Sequence, residues 1–214
     1  MRSKLESERT FADQARRRQI VACAIDLIAE VGYPQASLAK IAERAGIAKS
    51  VVLYHFKNKD EIVEGVVASV FEASVAIIAP RVLAATTPPE RLIAYIESNG
   101  EFLDRHRREA VALHEVSLGY RDASGRRFDQ AVVADVEEHG IPSEFAILDP
   151  LVILQKGLTS GEFASDADPL TLKNILRASL DGAVSELSRD ADYDVIAHCA
   201  AVRNLFVNAL GAQS

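Results

Sequence analysis

The chain has 214 residues, of which 49% are hydrophobic and 26% charged. That composition is globular and excludes a disordered or collagen-like chain. The net charge of −7 is unevenly split: residues 1–60 hold 11 Lys+Arg against 7 Asp+Glu (+4), and residues 61–214 hold 13 against 24 (−11). The first part suits a polyanion and the second would be repelled by one.

Helix signals run through the whole chain, and no segment alternates as a half-buried strand would. The first helix is expected from about Thr10, capped by Thr10 with Asp13 as a weak capping-box partner. Its apolar stripe is Ile20, Cys23/Ala24, Leu27/Ile28 and Val31, and Gly32-Tyr33-Pro34 stops it. A short helix from Ser37, a turn at Gly46 and a helix to about Phe56 follow. Asn58 and Glu61 then cap a fourth helix, expected to end at Pro80. Pro88-Pro89-Glu90 opens a helix to about His106, and Glu109–Leu118 forms another. Residues 119–148, with Gly119, Gly125, Gly140 and Pro142, suggest loops with one short helix. A helix over Pro150–Gly157 leads into a turn at Gly161. Asp168-Pro169 starts a long helix to about Ser188, and Asp192–Leu210 is the last.

The informative segment is Ser37–Phe56. Ala42 and Gly46 are four apart and Val52 lies six beyond the glycine, the spacing of a helix-turn-helix. The crossing helices need a small residue, supplied by Ala42, and the turn needs one that accepts positive φ, supplied by Gly46. Ile41, Ala45, Ile47 and Val52 would join the two helices from inside. The second helix then shows Lys, Ser, Tyr and His, which fits a major groove.

Over residues 15–65 the chain resembles the TetR/AcrR family of bacterial transcriptional regulators. The resemblance is carried by Ile20, Ala24, Leu27, Gly32, Ser37, Ile41, Ala42, Ala45-Gly46 and the run Tyr54-His55-Phe56-Lys57-Asn58-Lys59-Asp60-Glu61-Ile62. Leu53 departs from a tyrosine common in the family, and Val51 from a frequent threonine. Gly157–Phe163 is similar to a turn that members often have between two helices of the ligand domain. The resemblance implies an all-α fold with a three-helix DNA-binding domain, residues 1–60, joined to a helical effector-binding and dimerisation domain, residues 61–214. It implies DNA contacts by Ser37, Lys40, Lys49, Ser50, Val51, Tyr54, His55, Lys57 and Lys59. Arg16, Arg17 and Arg18 would lie near the backbone, and packing against Phe56 competes with contact for His55.

A regulator of this kind pairs with a second copy and with a double-stranded DNA operator, and a small-molecule effector releases it. Two stripes suit a four-helix dimer interface: Leu172, Ile175/Leu176, Ser179/Leu180, Ala183 and Leu187; and Val195/Ile196, Cys199, Val202, Phe206 and Leu210. Asn99 and His114 are polar residues on apolar faces, so each meets an internal partner or a ligand. Tyr95, Phe102, Phe163, Tyr120 and Phe128 are candidate pocket walls or core aromatics.

An activator, or a regulator without a small-molecule effector, remains an alternative to the repressor. A helical enzyme is disfavoured: His114-Glu115 lacks a second histidine at metalloprotease spacing, and no phosphate-binding or nucleophile-elbow motif occurs. No cofactor, metal site or catalytic group is expected. Cys23 and Cys199 are expected as packing residues in a reducing compartment. The longest charge-free stretch, Asn204–Ser214, is too short to span a bilayer and no apolar leader opens the chain, so a cytoplasmic protein without a membrane partner is expected.

Overall fold

The computed structural model describes residues 2–128, 130 and 146–211, the first nine by their backbone alone. The fold is all-α, with nine α-helices among the described residues: α1 Arg2–Val31, α2 Leu38–Arg44, α3 Lys49–His55, α4 Lys59–Ala84, α5 Pro88–Arg105, α6 Arg107–Gly119, α7 Leu151–Ser160, α8 Pro169–Leu187 and α9 Val195–Ala209. Two compact units result: Met1–Val70 with Val111–Asp135, and Phe71–Ala110 with Val136–Ser214. The split falls ten residues beyond the expected boundary at 60, and the first unit takes in a later segment.

Local chemistry accounts for most helix ends. Ser37 Oγ accepts from the Lys40 amide at 3.3 Å and starts α2. Thr87 and Glu90 form a complete capping box at α5. Asp168 and Asp194 accept from the Thr171 and Ala197 amides at 2.9 and 2.8 Å. The last helix therefore starts at Val195, capped by Asp194, three residues later than expected.

Two helix ends differ from expectation. α1 begins at Arg2, because Ser3–Arg9 contains neither glycine nor proline to stop a helix, so Thr10 is interior and not a cap. α4 runs through Pro80 to Ala84, although the proline forgoes the amide bond to the Ala76 carbonyl and crowds that carbonyl. α4 is also long and apolar enough, by length and composition, to cross a bilayer, a property missed by counting charge-free stretches because Glu64 and Glu72 interrupt it. Its Ile62, Val63, Val66, Val70, Ile78 and Val82 are buried within the protein.

The first unit is built on Ile20, Ala24, Leu27 and Ile28 of α1, with Ile41, Ala42, Val52 and Phe56. The segment after α6 joins it: Gly119 lies so close to Tyr33 and Pro34 that a Cβ there would come within 3.0 Å of the Tyr33 ring. Tyr120 completes the contact, its ring 6.0 Å from that of Tyr33 and 6.2 Å from Phe128. A turn closed by Gly125, with a bridge between Arg121 and Arg127, follows. The remainder of the expected short helix lies outside the described residues.

In the second unit α5 packs against α9, α7 and α8. Leu92, Tyr95 and Ile96 are fully enclosed, and the bare face of Gly100 admits Cys199 of α9. The buried ring of Phe163 occupies the space beside Gly157 that a side chain would need, which explains the glycine in that turn. Most residues of the stripes expected to pair two subunits face this core: Leu176, Leu180, Ala183, Leu187, Val195, Cys199, Val202, Phe206 and Leu210 are buried in the protomer. Ile175 and Ile196 of the same stripes, with Leu205 beside them, are exposed.

Candidate nucleic-acid interface

α2 ends in a Schellman motif. The Ile47 amide donates to Ala42 O at 3.0 Å and the Gly46 amide to Glu43 O at 3.1 Å. Gly46 has φ 66° and nothing within 4 Å of a hypothetical Cβ, so the backbone angle and not crowding requires glycine. The chain then re-enters a helix at Lys49. Val52, fully buried, anchors α3 against Ile41 and Ala42, which are also buried.

This register leaves Ser37, Lys40, Lys49, Ser50 and Tyr54 exposed, with Tyr54 at 81% the most open large apolar side chain among the described residues of the unit. Val51 is half-buried and Leu53 is exposed. Lys57, just beyond α3, is 88% exposed, its Nζ 3.4 Å from Glu61. The Lys57 amide also donates to Glu61, which holds that carboxyl below its ordinary range. Asn58 Oδ1 caps α4 by accepting from the Glu61 amide at 2.9 Å.

Three residues expected near DNA point elsewhere. Lys59 turns inward: its Nζ donates to Tyr33 O at 2.6 Å and stands 3.7 Å from the centre of the Tyr33 ring. Burial lowers the Lys59 pKa and pushes the Tyr33 hydroxyl up to about 12. His55 is also enclosed, its side chain 8% exposed and its Nδ1 3.1 Å from Asp13 of α1. Arg17 donates to the His55 carbonyl and lies 4.2 Å over the Phe56 ring. Asp13 therefore serves α3 rather than a cap at Thr10. The only sequence signal for this arrangement is that Asp13 and Arg17 lie one helical turn apart.

Of the candidate effector residues, Tyr95 and Asn99 have hydrogen-bond partners inside the second unit. Tyr95 Oη donates to Leu148 O and accepts from Arg177, both at 3.0 Å. Asn99 Nδ2 donates to Tyr95 O at 2.8 Å. Phe102 stacks on His106 with centres 5.3 Å apart. Phe163 fills the turn described above. His114 is half-buried and belongs to the first unit, as do Tyr120 and Phe128. A groove of about 480 Å³ in the second unit is lined by Pro88, Gln155, Lys156, Thr159, Ser160 and Glu162, none of them expected. No cluster of three metal-ligating side chains occurs among the described residues. Cys199 is buried and its thiol pushed up to about 11 by burial, the behaviour of a packing residue. Cys23 is half-buried.

Residues 20–66, from the buried stripe of α1 through the helix-turn-helix into α4, match the model of the bacterial regulatory proteins of the tetR family. This segment is similar to the DNA-binding domain of the TetR family. The chain is 24% identical over 193 residues to the fatty acid metabolism regulator protein of Bacillus subtilis, covering 90% of this chain and 94% of that protein. It is 27% identical over 154 residues to the transcriptional repressor KstR2 of Mycolicibacterium smegmatis, covering 72% and 70%. The structure of the regulator FadR of Bacillus subtilis in complex with stearoyl-CoA superposes with a TM-score of 0.68 at 24% identity, over 90% of this chain and 98% of that one. A TetR-family chain is a DNA-binding transcriptional regulator, with an N-terminal helix-turn-helix and a helical C-terminal domain.

Proposed function

We propose that this chain is a TetR-family regulator, a homodimeric repressor that binds an inverted-repeat operator and is released by a small molecule of the acyl-CoA class. The observation that carries the DNA reading is the exposed row Lys40, Lys49, Ser50 and Tyr54 on a helix-turn-helix inside the basic end of an otherwise acidic chain. Lys40, Lys57 and Ser37 would meet phosphates, while Lys49, Ser50 and Tyr54 on α3 would reach the groove and its edges. A dimer presents two equivalent α3 helices, hence the inverted repeat. Support for the ligand class comes from relatives in Bacillus subtilis: a fatty acid metabolism regulator, and FadR crystallised with stearoyl-CoA. Ligand binding would favour a state with lower operator affinity, by the difference in its affinity for the two states.

The second reading, a regulator without a small-molecule effector, is favoured by one observation: Tyr95 and Asn99 already have partners inside the protein. A mobility-shift assay on the DNA upstream of the gene separates the two readings. Retardation that weakens with salt and is abolished by long-chain acyl-CoA, but not by coenzyme A, is the expected result. Retardation unaffected by any acyl-CoA would reject the effector class, and absence of retardation would reject the operator.

A further inference from the structure

The exposed Tyr54 ring has one described aromatic neighbour, His55, whose ring meets it edge-on at 5.0 Å and 86°. His55 is in turn gripped from α1 at two points. Its Nδ1 faces the Asp13 carboxylate at 3.1 Å, and its carbonyl, at the C-terminal end of α3, accepts from Arg17. Arg17 also covers Phe56, the residue that ends α3. Asp13 and Arg17 are four apart and share one face of α1, so a rigid helix fixes the last turn of α3 through both side chain and main chain.

We propose that Asp13 is a positioning residue for DNA recognition: through His55 it holds Tyr54 in the orientation that meets the operator. The inference rests on the DNA reading above, and it removes His55 from the set of direct contacts. With Nδ1–H donating to Asp13, the imidazole ring plane is set and the wall against which Tyr54 stands is set with it. Arg17 performs the same service for the backbone, neutralising the carbonyl end of α3.

The proposal has a sign that simple electrostatics opposes. The Asp13 side chain is 47% exposed and negative, on the surface that would approach phosphate. If charge alone mattered, Asp13→Asn would tighten DNA binding. If Asp13 positions Tyr54, the same change weakens it, by roughly fivefold to tenfold, because an amide leaves a neutral hydrogen bond where a charge-assisted one stood.

The test measures dissociation constants for wild type, Asp13→Asn, Tyr54→Ala and the double variant on an upstream DNA fragment that the wild type retards, with circular dichroism and melting recorded for each. Weaker binding by Asp13→Asn, and no further loss on adding it to Tyr54→Ala, is the expected pattern. Asp13→Glu keeps the carboxylate and should bind within about twofold of wild type. This variant carries the test if the Asn form melts early. Tighter or unchanged binding by Asp13→Asn overturns the proposal, as does an equal loss in the Tyr54→Ala background or a Glu variant as weak as the Asn one. Failure of the wild type to retard any upstream fragment would instead count against the DNA reading itself.

Discussion

Lys57 and Lys59 stand two residues apart at the start of one helix, and the structure turns the first outward and the second onto Tyr33. Lys59→Ala removes a charge-assisted hydrogen bond to Tyr33 O at 2.6 Å and an ammonium 3.7 Å from the Tyr33 ring. The first is worth about 1.5–3 kcal/mol and the second about 0.5–1 kcal/mol where partly exposed. The cost of burying the ammonium, visible in its lowered pKa, offsets part of this, leaving about 2 kcal/mol as the expected loss. For a chain of this size that corresponds to a melting temperature about 4–8 °C lower. Lys57 is 88% exposed, so Lys57→Ala should melt like the wild type. On operator DNA the order reverses. A dimer lacking two Lys57 phosphate contacts should show a plot of log affinity against log salt shallower by about 1.8. Lys59→Ala should keep the wild-type slope below its melting point. The reasoning fails if Lys59→Ala melts with the wild type while its salt slope falls and that of Lys57→Ala does not.

Glu90 accepts from Thr86 Oγ1 and from the Thr86 and Thr87 amides, and the side-chain bond to Thr86 leads in holding its pKa down at about 2. A carboxylate depressed on folding stabilises the protein above its unfolded value of 4.5 and loses that contribution as pH falls toward 2. Acid titration of Glu90→Gln should therefore show a shallower fall in stability across that window, and an unchanged profile would contradict the capping geometry. Dimerisation gives a contrast between neighbours on α9. Leu205→Glu, at a position 68% exposed in the protomer, should yield a folded monomer by sedimentation. Phe206→Glu places a charge in the protomer's own core and should unfold it. A Leu205→Glu dimer as tight as wild type would move the interface elsewhere.

Much of the architecture was legible because helix ends carry local chemistry. Ser37, Thr87, Asp168 and Gly46 each do what their side chain or backbone dictates, whatever the rest of the fold. The missed ends were those where no such chemistry acts: nothing before Thr10 stops a helix, and Pro80 sacrifices one bond in an otherwise favourable run. Direction was harder to see than periodicity. The stripes on α8 and α9 were correctly seen as apolar, yet adjacent residues such as Leu176 and Ile175 differ by one position in whether they face the protomer's core. The same holds at the interface. Lys57 and Lys59 look alike in sequence, and only the position of Tyr33 separates them. His55 sits in the same run as Tyr54, and only α1 decides that one ring is enclosed and the other open.

The inclusion of Val111–Asp135 in the same compact unit as the helix-turn-helix bears on how such proteins can be recombined. A chimaera that grafts residues 1–70 onto a foreign sensor would lack Gly119 and Tyr120, baring the Tyr33 ring on the turn that leads into Ser37. The transplantable piece is therefore discontinuous. Exchange of specificity between regulators of this architecture should carry the end of α6 along with the N-terminal helices, or supply a host residue of matching shape above Tyr33.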